Sequence, residues 1–136
     1  MAGYGLDEKF HLSTVLEKSL KDKGFNAKVI NASVSGDTTN SGLNRVSWLA
    51  DNTEIDLLIL CLGANDMLRG IKPNIIKQNL SKIIEILQEK NIKILLAGML
   101  SQDTYGETYK NNFDKIFPEL SKKFKIDFFP FLLDGV

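Results

Sequence analysis

The sequence predicts an α/β fold built on a parallel sheet. Two short runs, residues 55–62 and 92–97, are almost entirely apolar, which is typical of strands that are covered on both faces. Amphipathic helical patterns alternate with these runs, and this alternation favours parallel strands joined by helices. No repeat or linker divides the 136 residues, so we expect a single domain over residues 1–136.

The helices follow from the spacing of apolar residues. A first helix is predicted over about residues 10–23, with Gly24 as its end, and a shorter one over residues 43–49. The clearest stripe begins behind Pro73, which suits the first turn of a helix. A last helical pattern contains Pro118, which predicts a kink or a restart there.

Two weaker strands are predicted over residues 27–32 and 126–129. Sites in parallel sheets form beyond the carboxyl ends of the strands. The loops at those ends cover residues 33–38, 63–70 and 98–106, and all three are rich in small and polar residues. Chemistry is therefore expected in these three loops.

Composition excludes several classes of function. The formal net charge is zero, so nothing predicts a nucleic acid or an anionic membrane as partner. No apolar stretch approaches the roughly 20 residues of a spanning helix, so no stable membrane insertion is expected. Cys61 is the single cysteine, expected to be a buried small hydrophobe. No cluster of cysteine, histidine or carboxylate residues has the spacing of metal ligands, so no metal is predicted. No glycine motif that binds phosphate occurs, and no cofactor is predicted.

The loops resemble the ordered blocks of the GDSL/SGNH serine hydrolases. N-A-S-V-S-G-D-T over residues 31–38, followed by Gly42, Leu43 and Arg45, is similar to the second block. L-G-A-N-D-M-L-R-G over residues 62–70 is similar to the third, G-x-N-D block. Gly98-Met-Leu, Tyr105-Gly106, Tyr109 and Phe113 are similar to the loop and helix that follow. The combination is closest to the thioesterase I, arylesterase and lysophospholipase L1 subgroup.

The resemblance implies hydrolysis of small acyl or lysophospholipid esters, or of thioesters, through an acyl-enzyme. It assigns two oxyanion-hole donors, the backbone N–H of Gly36 and the side-chain amide of Asn65. The residue types suit that task, because glycine lets the backbone approach the substrate and asparagine is a neutral donor. Helix caps and turns at these loops are the structural alternative.

The resemblance also suggests roles for neighbouring residues. Three are expected to bind or shape the substrate cleft: Tyr105, Met99 and Tyr4. Three are expected to support the site: Asp37, Asp66 and Arg69. Ordinary packing is the alternative for the first group, and an ion pair that holds the loop is the alternative to substrate contact for Arg69.

The fold that the resemblance implies is flavodoxin-like, with a parallel sheet in the order 2-1-3-4-5 and helices on both faces. Its central first strand carries G-D-S-L with the nucleophilic serine, and a later D-x-x-H block carries the base. Residues 1–136 contain neither block, and His11 does not match the catalytic histidine. We therefore expect a sequence truncated at both ends.

A chain without that central strand is expected to be marginally stable and to lack activity by itself. Ser33 and Ser35 have no histidine to activate them as substitute nucleophiles. The alternative function is a non-catalytic α/β module that binds acyl or carbohydrate ligands. For the parent, a soluble bacterial protein, a periplasmic or secreted location is expected, and the oligomeric state is left open.

Overall fold

The computed structural model describes residues 1–135 and divides the chain into two compact units, Met1–Asp37 and Thr38–Val136. The single domain expected over residues 1–136 stays a prediction.

The Met1–Asp37 unit contains one helix, α1 (Leu12–Asp22), after a 3-10 turn at Glu8–Phe10. Gly24 ends this helix in a left-handed conformation, with φ of +87°, and so allows the N–H of Phe25 to donate to the Leu20 carbonyl. None of residues 1–37 is fully buried. The predicted helix over residues 10–23 is therefore present, on a segment that has no core of its own.

The prediction of a strand over residues 27–32 is wrong. A strand needs a neighbour to accept and donate its backbone hydrogen bonds, and none of the described strands pairs with this segment. The backbone N–H of Val29 donates instead to the Glu17 carboxylate, at 2.7 Å. The apolar pattern that predicted this strand lies within neighbouring residues, whereas strand pairing requires a partner segment elsewhere in the chain.

The second unit is an α/β structure around a three-stranded parallel sheet of order β1-β2-β3. Its elements are α2 (Thr39–Asn52), β1 (Leu57–Leu60), α3 (Ala64–Leu68), α4 (Pro73–Glu89), β2 (Lys93–Ala97), α5 (Glu107–Asp114), α6 (Ile116–Phe124) and β3 (Asp127–Phe129). Leu58 lies opposite Ile94, and Leu96 opposite Phe128. The predicted class, α/β with a parallel sheet, is confirmed.

The core joins alternate residues of the strands to the helices. Leu60, Ile94 and Leu96 are buried, as alternation along a strand requires for one face. The stripe behind Pro73 is buried completely or almost so: Ile76, Leu80, Ile83, Ile84 and Leu87. Helix α4 is thus the central helix of this unit, and it begins where the sequence predicted.

The last helical pattern forms two helices, which confirms the predicted restart. The break falls at Lys115, before Pro118 rather than at it. In a continuous helix the Pro118 ring would clash with the Asp114 carbonyl four residues earlier. Helix α5 therefore ends at Asp114, and Pro118 lies in the first turn of α6, where its missing N–H has no partner to lose.

Candidate active site after strand β1

The chain turns sharply into helix α3 at the carboxyl end of β1. Gly63 makes the turn with φ of +117°, a conformation that favours glycine. A Cβ at Gly63 would also lie 3.2 Å from the Phe117 ring. Asn65 and Asp66 follow in α3, Asn65 half-buried and Asp66 with no exposed surface.

Asp66 ties α3 to the start of α2. Its Oδ2 accepts the backbone N–H of Thr39 at 2.8 Å, and its Oδ1 accepts the Thr39 hydroxyl at 2.6 Å. Helix α4 joins the same cluster, because the Asn79 amide donates to Thr39 Oγ1 at 3.1 Å. A carboxylate at the first residue of a helix also interacts favourably with the helix dipole. Three elements thus meet at one buried polar cluster beside Asn65.

Two tyrosines hold the loop that follows α3. The Tyr109 hydroxyl donates to the Ile71 carbonyl at 2.8 Å, and the Tyr105 hydroxyl donates to the Leu68 carbonyl at 3.0 Å. The Tyr105 ring covers Gly70, where a Cβ would lie 3.2 Å from it. Burial, followed by the neighbouring Tyr105 and Asp66, raises the pKa of the Tyr109 phenol. Both ends of α3 are therefore fixed by side chains from distant elements.

These tyrosines begin an aromatic series that runs into the core. Ring centroids are 5.0 Å apart for Tyr105 and Tyr109, 6.2 Å for Tyr109 and Phe113, and 5.6 Å for Phe113 and Phe117. Phe113 and Phe117 are buried, whereas Tyr105 is 45% exposed. The series connects an accessible ring to the residues packed under Gly63, so the loop around α3 rests on the core.

The loop after β2 is held by helix α5. The backbone N–H of Ser101 donates to the Asp114 carboxylate at 2.7 Å, and the Lys110 ammonium donates to the Ser101 carbonyl at 2.5 Å. Lys110 also lies 3.5 Å from Asp114. Met99, in the same loop, is partly buried against the core. The predicted role of Met99 in substrate binding stays a prediction.

The predicted site residues fall in both units. Asn65, Asp66, Arg69, Met99 and Tyr105 lie in the second, where the backbone N–H of Arg69 donates to the Asn65 carbonyl at 3.1 Å and closes α3. Gly36, Asp37 and Tyr4 lie in the Met1–Asp37 unit.

Gly36 lies in a turn whose geometry requires glycine, with φ of +81°. The N–H of Asp37 donates to the Val34 carbonyl at 3.3 Å within that turn. Tyr4 is 89% exposed. The roles assigned to these residues stay predictions.

Thr39 and Asn79 were not predicted as part of the site, and Tyr109 was matched to the loop and helix of the family without a polar role. Asn79 carried a detectable signal, because it is an amide within the apolar stripe of α4, three residues after Ile76 and next to Leu80. Thr39 carried none, since a threonine at the start of a helix is ordinary.

Three further features bear on other kinds of function. Cys61 is half-buried, and burial raises the pKa of its thiol, which disfavours the reactive thiolate. Over residues 1–135, no group of three His, Cys, Asp or Glu side chains is arranged to hold a metal ion. None of the helices described is both long and apolar enough to cross a membrane.

The parallel sheet and the Asn65-Asp66 pair beyond β1, anchored through the aspartate, agree with the SGNH-type hydrolase fold that the sequence motifs resemble. The chain belongs to the GDSL-like lipase/acylhydrolase family, whose model matches residues 1–135. By that membership it is a carboxylic ester hydrolase.

Its relatives include several named esterases. The chain is 36% identical over 135 residues to an arylesterase of Vibrio mimicus, which covers 99% of this chain and 68% of that protein. It is 35% identical to the esterase TesA of Pseudomonas aeruginosa, with 99% and 67% covered. The solved structure of AlinE4, an SGNH-hydrolase family esterase, matches with a TM-score of 0.96 and 44% identity, covering 99% of this chain and 72% of that one. The chain therefore spans about two thirds of the curated relatives' length.

Proposed function

We propose that the protein hydrolyses small acyl esters or thioesters through an acyl-enzyme, with Asn65 as an oxyanion-hole donor. The observation that carries this proposal is the placement of Asn65 in α3, one residue from the buried Asp66 and directly beyond the carboxyl end of β1. Sites in parallel α/β sheets form at such ends. Asn65 is half-buried, so part of the residue is exposed, and its carbonyl accepts from the Arg69 N–H.

Ester hydrolysis needs a fixed donor because negative charge develops on the carbonyl oxygen in the tetrahedral intermediate. A positioned N–H group stabilises that charge, and its removal typically lowers kcat by about 10²- to 10³-fold. The Asn65 side chain supplies a neutral N–H₂ group, whereas an aspartate there would repel the oxyanion. We propose the N–H of Gly36 as a second donor, since glycine has no side chain that would keep a substrate away from its own backbone.

Other residues have supporting roles in this proposal. Tyr105, Met99 and Tyr4 contact the acyl group, while Asp37, Asp66 and Arg69 maintain the loops. The nucleophile and base would come from G-D-S-L and D-x-x-H blocks. We propose that residues 1–136 alone do not turn over esters, because their single histidine, His11, interacts through Nε2 with the Leu6 carbonyl at 3.1 Å and matches no catalytic block.

The test is Asn65→Ala in the full-length gene product, assayed with p-nitrophenyl acetate and butyrate. We expect kcat to fall by at least about tenfold with the fold retained. Asn65→Asp should lower kcat at least as far, because it exchanges the donor for a charge. Asn52→Ala is the matched control. The Asn52 amide donates to the Trp48 carbonyl near the end of α2, so this change should leave kcat unchanged.

Wild-type turnover by Asn65→Ala would remove Asn65 from the oxyanion role. The same assay addresses the alternative function. A full-length product that carries neither block and has no activity would favour a non-catalytic module that binds acyl or carbohydrate ligands.

A further inference from the structure

Helix α3 is too short to orient Asn65 by itself. It has five residues, and its backbone bonds include Met67 to Gly63 at 2.9 Å and Arg69 to Asn65 at 3.1 Å. An isolated helix of this length is unstable in water, because forming its first turn fixes several dihedral angles for a single hydrogen bond. The direction of the Asn65 amide must therefore depend on contacts from other elements.

We propose that Thr39 and Asn79 are positioning residues that orient Asn65 through Asp66. This inference rests on the proposed function, in which Asn65 donates to the oxyanion. Neither residue touches the substrate. They act because Asp66 is the sequence neighbour of Asn65, and because its carboxylate is bonded to the start of helix α2 and, through Thr39, to helix α4.

The hydrogen bonds have only one consistent direction. A carboxylate accepts and does not donate, so the single hydroxyl proton of Thr39 goes to Asp66 Oδ1. The lone pairs of Thr39 Oγ1 then face Asn79, whose amide nitrogen donates to them. An amide at position 79 therefore completes this series of hydrogen bonds. An aspartate of the same shape would compete with Asp66 for the one proton.

Burial makes the cluster sensitive to the loss of a partner. Thr39 and Asp66 both have a relative exposure of 0%, so water does not replace a missing hydrogen bond at their present positions. The Asp66 carboxylate would instead move toward other donors and turn α3 with it. A displacement of about 1 Å at a catalytic group can lower the rate by as much as 10²-fold. Asn65 is adjacent and would share that movement.

Three variants of the full-length gene product test the inference. Thr39→Val keeps the shape and removes the hydroxyl, and Asn79→Asp keeps the shape and removes the donor. We expect each to lower kcat by about tenfold while KM changes by less than about twofold. Thr39→Ser keeps the hydroxyl and should retain kcat within about threefold. Loss of stability alone would not produce this pattern in assays well below the melting temperature.

A double-mutant cycle shows whether the effect passes through Asn65. If it does, Thr39→Val should lower kcat about tenfold in the wild type and less than about twofold in Asn65→Ala. Equal effects in both backgrounds would overturn the inference. Should Asn65→Ala itself leave kcat unchanged, the proposed function fails. If Asn65→Ala lowers kcat and Thr39→Val does not, only the positioning role fails.

A second readout does not depend on turnover. The side-chain amide signals of Asn65 in a nitrogen-15 NMR spectrum should shift or broaden in Thr39→Val and Asn79→Asp, while those of Asn52 stay in place. Unmoved Asn65 signals would contradict the inference. Asn79 is only half-buried, so Asn79→Asp and Asn79→Ala keep the test available if Thr39→Val does not fold.

Discussion

Gly98 is the position where a single methyl group should cost most, because it lies where the end of β2 meets the segment after β3. Its N–H donates to the Phe129 carbonyl at 2.7 Å, and its carbonyl accepts from Leu132 at 3.1 Å. A Cβ built at Gly98 would lie 2.3 Å from the Pro130 carbonyl oxygen and 2.9 Å from the Phe128 ring. The nearer obstacle is backbone, so no side-chain rotation relieves it.

The magnitude for Gly98→Ala follows from these contacts. The Pro130 backbone must retreat by about 1 Å to reach an ordinary contact, which strains a packed region at a cost of about 1–3 kcal/mol. The same movement weakens the two backbone hydrogen bonds of Gly98, each with a net contribution of about 0.5–1.5 kcal/mol. We expect the free energy of unfolding to fall by about 2–5 kcal/mol.

Gly42→Ala is the matched control, because its new Cβ would also meet an atom at 2.3 Å. That atom is Leu62 Cδ1, the end of a flexible side chain that can rotate away. Alanine is also better than glycine inside a helix by about 0.8–1 kcal/mol. We therefore expect Gly42→Ala to stay within about 1 kcal/mol of the wild type.

Urea unfolding, followed by circular dichroism, compares the unfolding midpoints of both variants with that of the wild type. We expect a clearly lower urea midpoint for Gly98→Ala at an unchanged slope. A Gly98→Ala midpoint equal to that of the wild type would refute it. So would an equal loss in Gly42→Ala, because the backbone or side-chain character of the obstacle would then be irrelevant.

Four other predictions follow from hydrogen bonding and burial. Tyr109→Phe should lower the free energy of unfolding by about 1 kcal/mol in thermal melts, through loss of the bond to Ile71, and no change would mean that this bond is not stabilising. Burial raises the pKa of Tyr109 in the folded protein, so its contribution to the free energy of unfolding is intact below about pH 10. That contribution is lost as the pH rises through the folded-state pKa. The fall in stability at alkaline pH should therefore be shallower in Tyr109→Phe. The raised pKa of Cys61 should make its reaction with a disulfide reagent at about pH 8 slower than that of free cysteine, and faster in urea; equal rates would contradict the burial. Brief proteolysis should cut residues 1–37 before the second unit, because none of them is buried, and first cuts within α4 would oppose this.

The elements that the sequence predicted well carry local signals. Helix α4 has a proline at its start and a stripe that repeats with the helical period, so its limits are written in neighbouring residues. Strands β1 and β2 are apolar runs of a length that suits buried strands. The G-x-N-D segment was recognisable for the same reason, since its residues are contiguous.

The features that the sequence did not predict correctly depend on partners far along the chain. Residues 27–32 have a strand-like composition without a pairing strand in the structure. Helix α3 was expected as a loop. It is held through the hydrogen bond from Thr39 to Asp66, which joins residues 27 apart. The polar contact of Tyr109 joins residues 38 apart. Side-chain hydrogen bonds of this kind have no period to detect, which is why the support of the site was harder to predict than its motif.

In the second unit, the contacts that stabilise the fold differ in kind from those that position the candidate donor. The apolar side chains of α4 pack without a preferred direction. Their truncation lowers the stability of the unit but does not by itself set the orientation of Asn65. The Thr39, Asp66 and Asn79 cluster is directional, because each hydrogen bond fixes where one atom lies relative to another. Both kinds of contact start from α4, since Asn79 lies between Ile76 and Leu80 on the same helix. Small shifts of α4 against the sheet are thus coupled to the orientation of α3, so core substitutions beside Asn79 should affect turnover more than equally destabilising ones at the far end of the helix.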